Sequence, residues 1–284
     1  MKSAGHNFYI IHRLRARFKA LDDFLAICKA STDFAINCPI CDRCATRSIT
    51  FGRAEYVNGP SASLSEVQTH RKYLCPHCGH FFTLWLDIDV EQISTKYQGI
   101  YDADQLFREN ERAAYQLDLI RYALRHLEGK DNVAILDFGC GPNTSPTMTM
   151  RGAGYDVRCC DILSGYAYDG DIFFHYDPAD TRWLGSFDAI VSIDVIEHLG
   201  NTVSAWHNLN HLLKADGIMA HCFPTRLHYG LHHNYCATPF HTCIFSRKSL
   251  QILAAKSGFK LEAIEPFQAD VPFVFRFRKI RESE

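Results

Sequence analysis

From residue 133 onward, short apolar runs alternate with longer stretches whose apolar positions recur every three or four residues. "VAILDF", "YDVRCCD", "IFFHYD" and "FDAIVSID" read as four strands, because continuous apolar runs suit strands buried on both faces of a parallel sheet. "SAWHNLNHLLKADG" follows as a helix ending in a glycine, and "IMAHCF" as a fifth strand. "SRKSLQILAAKSG" reads as a helix with Ser246 as its N-cap and Gly258 just past its end. "FKLEAIE" and "VPFVFRFRKI" close the chain as two more strands, the second with Val271, Phe273, Phe275 and Phe277 at every other position. This alternation predicts a doubly wound α/β domain over residues 131–284, with helices on both faces of the sheet.

The first half of the chain is patterned differently. Ile10, Leu14, Phe18, Leu21, Phe24, Leu25 and Cys28 have helical spacing, so residues 1–34 are assigned to an N-terminal amphipathic helix; Arg13, Arg15, Arg17 and Lys19 give it a solvated cationic face. Residues 35–86 form a small unit, two cysteine pairs around a polar insert containing "VNGPSASLSE", with too few apolar residues to hold its shape without a staple. Residues 87–130 make a connector carrying Tyr97 and Tyr101, then a helix with Leu106, Phe107, Ala113, Ala114, Leu117, Ile120, Leu124 and Leu127 on one face and Gly129 at its end.

Composition narrows the functional classes. Of 284 residues, 47% are apolar and 22% charged, as in an ordinary globular protein. The formal net charge of −2 argues against bulk electrostatic binding to nucleic acid or membranes. The chain has no run of about 18 apolar residues, so no spanning helix is expected. Its N-terminus has no apolar core followed by a small-residue cleavage site, which predicts a cytoplasmic protein.

In a reducing compartment, clustered thiols suggest a metal and scattered ones small buried hydrophobes. Seven of the 12 cysteines are scattered and five cluster between residues 38 and 78. "CPICDRC" and "CPHCGH" each contain a Cys-x2-Cys pair, and two such pairs converge four thiolates on zinc. Cys38, Cys41, Cys75 and Cys78 are the expected ligands, with Cys44, His77 and His80 as possible substitutes. Four thiolates leave no open coordination position, so the predicted Zn2+ is structural. A redox Cys-x-x-Cys is disfavoured, because it belongs at a helix start after a strand.

"ILDFGCGPN", residues 135–143, has the form of a first strand followed by a tight turn whose glycines let a ligand approach the backbone. No Gly-Lys-Ser/Thr follows, which excludes a Walker-type phosphate loop. The third glycine of a dinucleotide fingerprint is also missing. Asp137 would repel a pyrophosphate but suits a ligand with a cationic end, such as S-adenosylmethionine. Asp161 ends the second strand 24 residues later, near the offset at which an acid meets ribose hydroxyls. Asp177 ends the third strand, where it suits an adenine amino group, and Asp194 ends the fourth. Four acids at successive strand ends suggest one pocket lined for an adenosyl ligand.

"ILDFGCGPN", the acid in "VRCCDI", "FDAIVSIDVIEHL" and "NHLLKADGIMAHCFP" resemble, in order, the motifs of class I S-adenosylmethionine-dependent methyltransferases. Glu197-His198-Leu199 and "LLKADG" are closest to the branch that methylates small molecules, quinones and sugars. The resemblance covers about residues 105–280. It implies a Rossmann-like seven-stranded sheet whose last two strands form an antiparallel hairpin. It also implies that Asp137, Gly139, Cys140 and Gly141 line the methionine end of the cofactor, Asp161 its ribose and Asp177 its adenine. The family usually has a third small residue where Asn143 stands, and the helix after the loop looks short. A small zinc ribbon ahead of a methyltransferase domain is similar to bacterial proteins of surface-sugar and secondary-metabolite pathways.

Residues 221–243 hold His221, His228, His232, His233 and His241 with Tyr229 and Tyr235, at the ligand end of the predicted sheet. Imidazoles there suit removal of a proton from an acceptor. "TPFHTCIFS" resembles a stretch of the small-molecule branch, which makes His241 the first candidate for a base or acceptor contact, followed by His233 and Tyr235. Glu197-His198 reads as a brace for its loop. Two other functions stay open at this level. One is an RNA methyltransferase gripping nucleic acid with the ribbon and basic helix, although residues 38–82 carry a net charge of only +2. The other is a non-catalytic adenosyl-binding scaffold.

Overall fold

The computed structural model describes residues 29–51, 70–83, 109–141, 144–161, 172–223, 225–227, 241–267 and 273–281. The helix expected over residues 10–28, the "VNGPSASLSE" insert, the Tyr97–Tyr101 connector, and His228, Tyr229, His232, His233 and Tyr235 lie outside these residues.

The predicted α/β domain is built on a mixed seven-stranded, Rossmann-like sheet. Its strands, in chain order, are β5 (Ala134–Phe138), β6 (Asp156–Asp161), β7 (Phe173–His175), β8 (Phe187–Ile193), β9 (Leu213–Cys222), β11 (Phe259–Pro266) and β12 (Phe273–Lys279). In space the order is β11-β12-β9-β8-β5-β6-β7. β12 lies antiparallel between β11 and β9, and the remaining pairings are parallel. The terminal hairpin expected from the resemblance is therefore present. Every residue of β5 and of β8 is buried, including the polar Asp137, Asp188 and Ser192, as befits strands covered on both faces of a parallel sheet.

Two apolar layers cover the sheet. On one face α1 (Glu109–Arg125) and α2 (Ser145–Gly152) bring Leu119, Ile120, Ala123 and Met150 onto Ile135, Val157 and Val191. On the other, α3 (Thr202–Leu212) and α4 (Arg247–Lys256) bring Trp206, Leu209, Leu250 and Leu253 onto Ile190, Met219, Phe275 and Phe277. Ser246 caps α4 as its position predicts, accepting from Ser249 N at 3.1 Å.

The helix predicted through Gly217 stops at Leu212. Leu213 is already extended and pairs with Phe187, while Lys279 Nζ donates to the carbonyls of Asn210 and Leu213 at the helix end. Gly217 instead marks an irregularity in β9, where the register against β8 shifts; a Cβ there would lie 3.0 Å from Lys214 O.

A second sheet of five strands, β1-β2-β3-β4-β10, contains the cysteine pairs. Its strands are β1 (Lys29–Asn37), β2 (Cys44–Phe51), β3 (His70–Leu74), β4 (Phe81–Thr83) and β10 (Cys243–Ile244). β1 corrects the helix assigned through residue 34: the chain is extended from Lys29, where Thr32, Phe34 and Ile36 replace helical spacing by a repeat of two. The fifth strand comes from beyond β9, with Cys243 opposite Phe82 and Ile244 opposite Phe81. Cys38, Ile40, Tyr73, Cys75 and Phe82 belong to the same apolar cluster as Phe223, Phe245 and Leu250. The small unit is thus sewn into the large domain.

Candidate functional site

In open α/β sheets, ligands bind beyond the carboxyl ends of strands where the strand order reverses. Here the reversal falls between β5 and β8. The glycine turn emerges from β5 at that point, with Gly139 at φ +73° and Gly141 at φ +65°. Gly139 and Cys140 donate backbone hydrogen bonds to Cys160 O at 2.8 and 3.2 Å, folding the turn across the end of β6. Gly141 N donates to Asp161 Oδ2 at 2.8 Å. One oxygen of the predicted ribose ligand therefore fixes the loop. A Cβ on Gly139 would come within 2.4 Å of Val195 Cγ2, so the glycine is needed to admit the segment after β8 as well as any ligand.

Asp137, 1% exposed, stands at the end of β5 inside this turn. Asp194 follows β8 in a left-handed conformation at φ +52°, with its N–H donated to Cys222 O. Asp177 lies two residues past β7, exposed, its Oδ1 accepting from Ala179 N at 2.9 Å. The structure thus gathers Asp137, Gly139, Cys140, Gly141 and Asp161 around one turn. Contact with Cys159 and burial push the Cys140 thiol far above its ordinary range.

Gln116 was missed by sequence reasoning. It sits on α1, 2% exposed, with Nε2 3.4 Å from Cys140 O, and its Oε1 has no hydrogen-bond partner among the described residues. A buried acceptor beside the loop fits a ligand that brings its own donors, such as an amino group. The signal was legible: Gln116 is three residues after Ala113 and four before Ile120, a polar residue in the apolar stripe.

Immediately after Val195, a one-turn 3₁₀ helix, Ile196–His198, carries a fully buried Glu197 and a half-buried His198. His241, 43 positions further along the chain, is buried against them, its ring centroid 4.8 Å from that of His198. Ligand atoms of Glu197, His198 and His241 all lie within 4.8 Å of one another. His233 and Tyr235, expected beside His241, lie outside the described residues.

The cysteines converge. Sγ atoms of Cys38, Cys41, Cys75 and Cys78 all lie within 4.8 Å of one another, with Cys38–Cys78 at 3.6 Å and Cys41–Cys75 at 3.5 Å. Four sulfurs on a tetrahedral zinc, with bonds of about 2.3 Å, stand about 3.8 Å apart, so the set fits that ion. The two loops are alike: Asp42 N donates to Cys38 O and Gly79 N to Cys75 O. Each donor follows the second cysteine of its pair and has positive φ, 57° at Asp42 and 73° at Gly79. The hydrogen bond between them lowers the pKa of the Cys38 thiol and raises that of Cys78. Of the substitutes, His77 is exposed, and His80 is stacked on Phe82 and Phe245 away from the cluster. Cys44 begins β2.

Strand order, antiparallel hairpin and glycine turn at the reversal point define a class I S-adenosylmethionine-dependent methyltransferase fold. Residues 107–264 match the family model described as a methyltransferase domain, and the chain belongs to that family. It is 31% identical over 104 residues to a ubiquinone biosynthesis O-methyltransferase of Rickettsia akari (strain Hartford); the match covers 33% of this chain and 40% of that relative, well under half of its length. Among solved structures it resembles the 1,6-didemethyltoxoflavin-N1-methyltransferase of Burkholderia thailandensis, determined with 1,6-didemethyltoxoflavin and S-adenosylhomocysteine. That likeness has a TM-score of 0.51 at 12% identity and covers 71% of this chain and 96% of that one. A SAM-dependent methyltransferase from Methanosarcina mazei aligns with a TM-score of 0.45 at 17% identity, over 57% and 99% of the two chains. No helix among the described residues is long and apolar enough to cross a membrane.

Proposed function

We propose that this protein transfers a methyl group from S-adenosylmethionine to a small-molecule or sugar-like acceptor, and that its four cysteines hold a structural Zn2+. The observation that carries this reading is the Gly139–Gly141 turn, tied to Asp161 at the strand-order reversal and faced by an acid–imidazole cluster. The 1,6-didemethyltoxoflavin bound to one similar protein and the ubiquinone biosynthesis named for another favour a small acceptor.

S-adenosylmethionine, when bound, supplies an electrophilic methyl group on a sulfonium. The chain's own residues bind and orient. Asp137 offsets the positive charge of the methionine end, and Gly139, Cys140 and Gly141 present backbone to it. Asp161 holds the turn with one oxygen while its carboxylate receives the ribose, and Gln116 Oε1 accepts from the amino group. Asp177 lies toward the adenine, and Asp194 completes the lining of the cofactor pocket. Alignment of the acceptor atom with the sulfonium accounts for most of the rate in such a displacement. His241, with His233 and Tyr235, contacts the acceptor and handles its proton. Zinc, closed in by four thiolates, takes no part in the reaction.

Calorimetry with S-adenosylmethionine and S-adenosylhomocysteine tests the pocket, and labelled cofactor incubated with fractionated small-molecule extracts tests transfer. Binding of both nucleosides with label entering a low-molecular-weight fraction is expected. Absence of nucleoside binding overturns the reading, and label entering only RNA overturns the acceptor class.

A further inference from the structure

We infer that Lys72 is a positioning residue for the transfer step. Reaching out of the five-stranded sheet, its ammonium fixes the backbone that carries the His241 ring, which makes the cysteine-bearing unit part of the acceptor site. This inference rests on the reading of His241 as the residue that contacts the acceptor.

The hold is built from paired positions. Lys72 on β3 lies opposite Thr83 on β4. Lys72 Nζ donates to His241 O at 2.6 Å, and Thr83 N donates to Thr242 O at 2.9 Å. Facing residues of two strands thus grip two successive carbonyls of the chain entering β10. Neighbouring strands stand about 4.8 Å apart, so a segment in line with β10 lies about 10 Å from β3, with β4 between them. Only a long side chain bridges that gap, and lysine carries its donors at the tip. Fully buried Phe81 lines the crossing, its ring centroid 5.7 Å from Lys72 Nζ.

The same segment is pinned from its other side to the loop after β8. Thr242 Oγ1 donates to Glu197 O at 3.0 Å and to Leu199 O at 3.3 Å, and Thr202 Oγ1 and Cys243 Sγ lie 2.9 Å apart. Val195, at the start of that loop, packs against Gly139, so the loop adjoins the turn assigned to the methyl donor. The His241 ring lies between these two supports, 8% exposed. A side chain leaves the backbone at Cα, so slack in the His241–Thr242 peptide becomes displacement of the imidazole. Misplacing a reacting group by about 1 Å can cost about a hundredfold in rate.

Because Lys72 holds the carbonyl and not the ring, its two contributions separate. His241→Gln leaves the backbone oxygen in place, so the stability that Lys72 supplies is the same with or without the imidazole. Its contribution to rate exists only when the imidazole is present.

The test is a double-mutant cycle of Lys72→Met with His241→Gln on the zinc-loaded full chain. Labelled S-adenosylmethionine is the donor at saturation, and the acceptor is the low-molecular-weight extract fraction that takes up label. Lys72→Met is expected to lower the maximal rate about tenfold to a hundredfold, with unchanged circular dichroism and S-adenosylhomocysteine affinity. In the His241→Gln background it should change the rate less than about twofold, while the urea midpoint falls equally in both backgrounds. Lys72→Gln, shorter by one atom, takes its place in the cycle where Lys72→Met does not fold. Equal rate losses in the two backgrounds, or no loss beside His241, overturn the inference. His241→Gln transferring at the wild-type rate removes the residue through which Lys72 acts and overturns it too, leaving methyl transfer intact. A wild-type chain that binds no nucleoside and labels no fraction sinks the methyltransferase reading and this inference together.

Discussion

The ammonium of Lys72, on the third strand of the five-stranded sheet, donates to the carbonyl oxygen of His241 at 2.6 Å, joining residues 169 positions apart without exposure to solvent. Truncation removes the donor and strands a buried carbonyl, at a cost of about 1–3 kcal/mol. Lys72→Met is therefore expected to lower the urea midpoint by that equivalent. An unchanged midpoint would mean that the contact contributes nothing to stability.

Asp161 does two jobs in the proposed reading, so its variants should separate. Asp161→Asn keeps an oxygen for Gly141 N but loses the charge, whereas Asp161→Ala loses both. Nucleoside affinity is expected to fall about tenfold for the first and further for the second, since a charged hydrogen bond is worth about 1.5–3 kcal/mol. Calorimetry decides; equal affinities for wild type and Asp161→Ala would remove this carboxylate from the site.

Chelation should be felt beyond the cysteines. Ser246 Oγ donates to Cys78 O, Lys248 Nζ to His77 O at 2.6 Å, and Arg226 Nη1 to Gly79 O at 2.9 Å. Metal removal, or Cys75→Ser, is expected to raise amide hydrogen exchange at Thr83 and Ile244 as well as around the cysteine loops. Exchange confined to residues 38–80 would show that the shared sheet transmits nothing.

His221 is buried in β9, with Nδ1 2.6 Å from Ser192 Oγ, and burial lowers its pKa to about 3. A histidine depressed when folded binds its proton only when unfolded between that value and about 6.5. Its contribution is fully present above pH 6.5 and lost as pH falls, by about 1.4 kcal/mol per pH unit. Buried His80, also lowered to about 3, adds a slope of the same sign, so urea unfolding at pH 7.5 and 5.0 should show both contributions and His221→Gln should reduce the slope by its own share. An identical slope in the variant would assign the pH dependence to other groups.

Most of the large sheet was legible because its information is local. Runs such as "FDAIVSI" are short and mostly apolar, as a strand buried on both faces of a parallel sheet requires. The glycine turn after β5 was legible for the same reason. The pairing of two-residue β10 with β4, the reach of Lys72 to His241, and the meeting of Glu197 with His241 were not. Each depends on tertiary contact between distant segments, and a two-residue strand has no periodicity to read. "KADG" misled because Gly217, which resembles a helix terminator, serves a strand irregularity instead.

Pairing of Phe82 with Cys243 also sets an order of events during synthesis. The ribosome releases β4 long before β10, and at roughly 5–20 residues per second the interval is on the order of ten to thirty seconds. Throughout that wait the fourth strand keeps a bare edge, the kind of surface that invites pairing with other nascent chains.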